Sequence, residues 1–214
     1  MIASLLSAEF PTHALLGEED LNGDTDAEHL WVIDPLDGTN NFAHHVPHFA
    51  VSIAYYLKGQ PAVGVVHNPV TGDTYAAVRG EGATHNEHPI CVSESTKLSK
   101  SLIGCGFYYD RGEMMRSTLA AVEDFFTHDI HGIRRFGAAA LDLCAVANGM
   151  FGAFFEYKLS PWDFAAGQLI LSEAGGKITD ARGKPLDLTP SSVLASCPGL
   201  YEHALAITTR HHPR

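Results

Sequence analysis

Long apolar runs are missing from this chain of 214 residues: none approaches the ~20 residues needed to cross a bilayer, so no membrane span is read. Positive charge is scarce. Fourteen Lys and Arg stand against 25 Asp and Glu, a formal charge of −11 with His neutral. Such a surface repels phosphate backbones and anionic headgroups, so neither nucleic acid nor membrane is expected as a partner. Cysteine is sparse too: Cys91, Cys105, Cys144 and Cys197 lie far apart and form no C-x-x-C. That usage fits reduced thiols in a cytoplasmic protein better than a disulfide framework. The opening MIASLLSAEF has no basic stretch ahead of its short apolar segment, and no signal peptide is read there. What the chain does have is 45% hydrophobic residues with 18% charged, which excludes a disordered chain and supplies the core of one large domain or two small ones. The excess of carboxylates suits an anionic substrate only where a divalent cation stands between them.

Hydrophobic spacing organises the chain into two unlike halves. SLLSAEF has helical spacing and Pro11 closes it, HALLGEE reads as a short strand, and a polar loop leads to a second strand over Leu30 to Ile33. From Phe49 to Ser93 the segments FAVSIAYYL, PAVGVVHNP, DTYAAVRG and HPICVS read as an antiparallel meander broken at KGQ and VTG. SLIGCGF follows as a strand, with a helix near Met114 to Phe126. Helices AALDLCAVANG, WDFAAGQLILSEAGG and LYEHALAI then alternate with strands GAFFEY, KITD and SVLASC. The pattern predicts a mixed α/β (α+β) fold. Its halves are 1–100, an α+β half with the antiparallel sheet, and 101–214, an α/β half, meeting near Thr96 to Ser101.

The densest chemistry is Asp34-Pro35-Leu36-Asp37-Gly38-Thr39, directly after the apolar WVI. Two carboxylates three residues apart across a rigid proline can converge, with the Leu36 carbonyl between them as a third oxygen. Such oxygen sets suit hard divalent cations. Gly38 and Thr39 open a helical turn whose free N–H groups can hold a phosphate. The same residues are turn formers and can equally join a strand to a helix. Asp163, in Pro161-Trp162-Asp163-Phe164-Ala165-Ala166-Gly167, reads as the N-cap of an apolar helix that stops at Gly175-Gly176. Gly17-Glu18-Glu19 reads alone as a solvated loop. The cluster His44-His45-x-x-His48 lacks a fourth zinc ligand nearby, and turn chemistry around Pro47 accounts for it.

Taken together, GEE, WVIDPLDGTNNF and PWDFAAG with SEAGG downstream, in that order, resemble the inositol monophosphatase family of Mg²⁺-dependent, lithium-sensitive phosphatases. The resemblance spans nearly the whole chain and implies a layered αβαβα sandwich. It implies that Glu18, Asp34 and the Leu36 carbonyl hold one metal, and Asp34, Asp37 and Asp163 a second, with two or three Mg²⁺ in all and Li⁺ inhibition. Thr39, beside Glu18, would orient and activate the attacking water, with Asp34 as the shared catalytic ligand and Glu19 supporting the site from behind. Asp37, Gly38, Thr39, Ala139 and Glu156 would contact the substrate, Glu156 accepting hydrogen bonds from sugar hydroxyls and the Gly137-Ala138-Ala139 backbone facing the polyol.

The implied reaction is hydrolysis of inositol monophosphate or a related small sugar or polyol phosphate by metal-activated water, in a homodimer. Asn40-Asn41-Phe42 is closer to the inositol-type T-N-F pattern than to relatives acting on 3'-phosphoadenosine 5'-phosphate, which show Lys and then an acid after D-G-T. Fructose 1,6-bisphosphate and histidinol phosphate remain open, and Arg134 and Arg135 can reach a second anionic group or equally form a solvated strand edge. The family also carries a helix, a mobile loop and a T-x-x-D stretch ahead of the segment that opens here, and its Asp bonds the threonine matching Thr39. These residues do not include it. The resemblance therefore implies an incomplete first helical layer and water activation weakened more than metal or phosphate binding. A chain so impaired would bind metal and phosphate as a binding or assembly protein.

Overall fold

In the computed structural model, which describes residues 1–19 and 21–213, a short α1 (Ile2–Glu9) precedes an eight-stranded sheet. Its strands are β1 (Ala14–Gly17), β2 (Leu21–Asn22), β3 (His29–Asp37), β4 (Ala50–Leu57), β5 (Gln60–Asn68), β6 (Asp73–Val78), β7 (Gly82–His85) and β8 (His88–Ile90). They lie in the order β2-β1-β3-β4-β5-β6-β7-β8, antiparallel throughout except for the parallel pair β1–β3. β4 shows why. Ala50, Ser52, Ala54 and Tyr56 are buried and the residues between them half-buried, the period of two of a sheet with one well-packed face. The short GATH strand, β7, was not among the segments read from sequence; four residues of mixed polarity carry no period, and pairing with β6 and β8 defines it.

The second sheet contains β9 (Leu102–Cys105), β10 (Gly132–Arg134), β11 (Ala153–Leu159), β12 (Lys177–Thr179) and β13 (Ser191–Ser196), in the order β10-β9-β11-β13-β12. β9 runs parallel to both neighbours, and β13 antiparallel to both of its own. β11 reads AFFEYKL with six of its seven residues buried. A strand covered on both faces needs apolar side chains on both.

Helices supply the cover. α4 (Ala139–Ala147) and α5 (Pro161–Glu173) lie between the sheets, and every residue of α4 is buried. Their core joins Leu30, Val32, Ala54 and Val66 of the first sheet to Phe154, Val193 and Ala195 of the second. α3 (Glu113–Phe126) and α6 (Tyr201–Arg210) cover the other face of the second sheet, where Ala121, Phe125, Ala204 and Ile207 share a core with Ile103, Phe155 and Leu194. On the far side of the first sheet α1 buries none of its residues. Just beyond it Phe10 stacks on His13 and meets Trp31, which points away from the core. The layers are αβαβα, with α1 alone among the described residues in the outermost one. Among them no helix is long and apolar enough to cross a membrane.

Two local features place the acids. Asp34 lies opposite Ser52 and Asp37 opposite Ala50, so three steps along β3 match two along β4. In a regular strand residues three apart face opposite sides; the extra residue of this bulge turns Asp37 to the side of Asp34. At the start of α5 the N-cap is Ser160, not Asp163 as the sequence suggests. Pro161 takes the first helical position, where its missing N–H costs nothing, and Asp163 falls at the third, its carboxylate accepting the Ser160 N–H at 2.7 Å.

Candidate active site

Asp34, Asp37 and Asp163 offer carboxylate oxygens that all lie within 4.8 Å of one another. They come from the bulge of β3 and the first turn of α5. Each is aimed by a main-chain donor. Leu36 N–H donates to Asp34 Oδ1 at 2.9 Å, Ala140 N–H at the start of α4 donates to Asp37 Oδ2 at 2.8 Å, and Ser160 N–H holds Asp163. Asp34 is 1% exposed and Asp37 8%.

Burial, then the neighbouring acids, push all three carboxyls upward: Asp34 to about 7, Asp163 to about 6 and Asp37 well above the usual range. Three crowded carboxylates repel unless protons or cations intervene. The donor set is oxygen alone, which suits Mg²⁺. Glu18 is exposed, just past β1, and lies outside the group of three while lining the same cleft. Its carboxyl is raised by partial burial and by Glu19, and its charge reaches Asp34 and Asp163. Glu19 is exposed and does not line the cleft.

The cleft has a volume of about 300 Å³, and Leu36, Gly38, Thr39, Ala139 and Glu156 also line it. Gly38 enters the short α2 (Thr39–Ala43) at φ +89°, a backbone that favours glycine, and an added Cβ would meet the His48 carbonyl at 3.1 Å. Thr39 is exposed and its hydroxyl donates to the Leu36 carbonyl at 3.1 Å, leaving that carbonyl a second lone pair. Glu156 is 9% exposed and pushed up to about 8 by burial and by Asp163 and Asp142, against the pull of Arg135. Sequence reasoning missed Asp142, which is 1% exposed and lines the cleft. Its signal was a lone acid inside the apolar run AALDLCAVA. Tyr108, Tyr109 and Lys158 were missed as well, and the Lys158 ammonium sits 4.7 Å from the Tyr108 ring centre.

Protons and cations compete for the same oxygens, which fixes a pH dependence. A carboxyl with a folded pKa above its unfolded value contributes stability that is full below about 4 and lost as pH climbs through about 6 for Asp163 and about 7 for Asp34. Metal restores what deprotonation removes. The rise in thermal midpoint on adding millimolar Mg²⁺ should be small near pH 5 and several degrees near about pH 8. A shift equal at both ends contradicts this assignment.

A family model, the inositol monophosphatase family, matches residues 1–213. A Nus factor SuhB of Pasteurella multocida is 39% identical over 95% of this chain and 76% of its own length. The inositol monophosphatase of Anabaena superposes with a TM-score of 0.91 at 40% identity, covering 99% of this chain and 84% of that one. SaIMPase-II with inositol monophosphate bound gives 0.88 at 32%, covering 98% and 82%. With the five layers and the acid cluster in place, and the match running along almost every residue, the chain belongs to the inositol monophosphatase family.

Proposed function

We propose that this chain is a Mg²⁺-dependent phosphomonoesterase acting on inositol monophosphate or a related small sugar or polyol phosphate, by direct attack of water on phosphorus. The observation that carries it is the Asp34–Asp37–Asp163 cluster in a cleft that also holds Thr39 and Glu156. Cations held by Glu18, Asp34, the Leu36 carbonyl, Asp37 and Asp163 would neutralise phosphate oxygens and acidify a bound water. Thr39 has committed its own proton to Leu36, so its remaining capacity is to accept, which suits it to orient a water that must lose a proton. Gly38 and Thr39 open α2, where N–H groups have no carbonyl one turn back and can face a phosphate. Glu156, when ionised, can accept hydrogen bonds from two hydroxyls of the leaving polyol. The family and the bound ligand of SaIMPase-II support the choice of ester.

The relative named a Nus factor favours a second reading, in which this chain binds metal and phosphate as an assembly protein. Steady-state phosphate release with Mg²⁺ separates the two. Inositol 1-phosphate should give the highest kcat/KM in a panel with fructose 1,6-bisphosphate, histidinol phosphate and 3'-phosphoadenosine 5'-phosphate. No release from any of them above an Asp34→Asn control leaves the assembly reading. We also propose a homodimer. Phe42, Val46, Phe136 and Met150 are each more than 40% exposed, with Phe42 packed on Phe49 and Phe136 on His48 and Phe151. Light scattering should return about twice the chain mass of 23.1 kDa; a single-chain mass overturns it.

A further inference from the structure

We infer that Asn41 is a positioning residue that sets the distance between the metal-binding loop and the turn facing the leaving group. The inference rests on the phosphatase reading and adds a residue to it.

The turn is residues 136–140, the entry to α4, and it is fastened at three points. Two of these are hydrogen bonds from and to its main chain, the Ala140 N–H donating to Asp37 at 2.8 Å and the Phe136 carbonyl accepting from Asn41 Nδ2 at 2.7 Å, and the third is the packing of the His48 ring on Phe136. Asn41 Nδ2 also donates to the His48 carbonyl at 2.7 Å. Both acceptors are main-chain carbonyls, so the amide nitrogen must face them and both of its hydrogens are used. The residues it ties to the turn lie 95 positions earlier in the chain, two residues beyond Thr39.

Of the two hydrogen bonds, the one from Ala140 ends on Asp37, a carboxylate assigned to metal. Among the described residues, the hydrogen bond from Asn41 joins the two segments without using a group assigned to metal. The His48 ring packs on Phe136 at 5.0 Å along the same seam. Immediately before the turn comes Arg135, whose charge reaches both Asp142 and Glu156, so a displaced turn moves a cation past two buried acids. Asn41 itself lines the cleft. No other residue of its size does the same work. Aspartate has the shape but cannot donate, and would set a carboxylate oxygen against two carbonyl oxygens; alanine leaves both carbonyls unpaired.

Asn41→Asp and Asn41→Ala test this in the full chain with Mg²⁺, using inositol 1-phosphate and methyl phosphate, which has no hydroxyl to present to the turn. The expected result for both variants is a KM for inositol 1-phosphate raised about 10-fold or more, with kcat held within about 3-fold. For methyl phosphate kcat/KM should stay within about 3-fold of the unsubstituted chain, and so should the calorimetric affinity for inorganic phosphate. A merely structural role would lower both esters together and weaken phosphate as well. Equal losses on the two esters, no change on either, or a change in the Asp variant alone each overturn the inference. Absence of metal-dependent release from the unsubstituted chain removes the phosphatase reading and the inference with it, a result distinct from all of these.

Discussion

Asp37→Asn is expected to lower Mg²⁺-dependent phosphate release by about a thousand-fold, near 4 kcal/mol of transition-state stabilisation. The substitution keeps the shape and removes the function for a reason set by one hydrogen bond. Asp37 Oδ2 accepts the Ala140 N–H, so an asparagine must turn its carbonyl oxygen to that donor. Its NH₂ group then points at Asp34 and Asp163, where a cation ligand is required. The opposite flip sets two donors against each other at a buried position. Stability should move the other way. Removing one of three mutually repelling acids relieves the metal-free cluster, so the thermal midpoint without metal should equal or exceed that of the unsubstituted chain. Lost activity accompanied by a falling midpoint would mark Asp37 as a fold residue.

Gly106→Ala should have the next largest effect. Gly106 follows β9, and its N–H donates to the Phe155 carbonyl at 3.0 Å. A Cβ built there lies 1.7 Å from Glu156 Oε2 and 2.3 Å from Cδ. Glu156 cannot retreat by moving its backbone, because β11 is paired with β9 and β13 on either side. The carboxylate must swing out of its place. We expect kcat/KM for inositol 1-phosphate to fall about 100-fold, mostly through KM, since on the proposed function the displaced group would contact the leaving polyol and not the phosphate. Overpacking should also cost roughly 1–3 kcal/mol, a midpoint drop of about 2–12 °C at this chain length. Kinetics within about 3-fold of the unsubstituted chain would show that Glu156 does not hold the substrate.

Much of this was legible before any coordinates. The meander shows in the alternation of FAVSIAYYL, and the doubly covered β11 in GAFFEY, apolar at every position but Glu156. The acids of D-P-L-D-G-T could be singled out as oxygen ligands for a cation, though the same residues suit a turn joining a strand to a helix. Their convergence could not. It depends on a bulge, and a bulge is a property of the pairing of β3 with β4, which a single strand's sequence does not record. Asp163 was misplaced as an N-cap for a related reason: Ser160 and Asp163 can each cap a helix, and Pro161 at the first helical position decides between them. Asn41 was illegible as a site residue because its partner Phe136 becomes a neighbour of the metal loop only after α4 packs between the sheets, whereas Asp142 left a trace as a lone acid in AALDLCAVA.

On the proposed function these carboxylates bind cations in order to hydrolyse a phosphate ester. Phosphate release from inositol 1-phosphate, measured against Mg²⁺ concentration for the unsubstituted chain and for Asp34→Asn, tests it most directly. Release should saturate with Mg²⁺, disappear on chelation, and lie flat near background in the variant. Release that survives chelation, or that the variant matches, would contradict it.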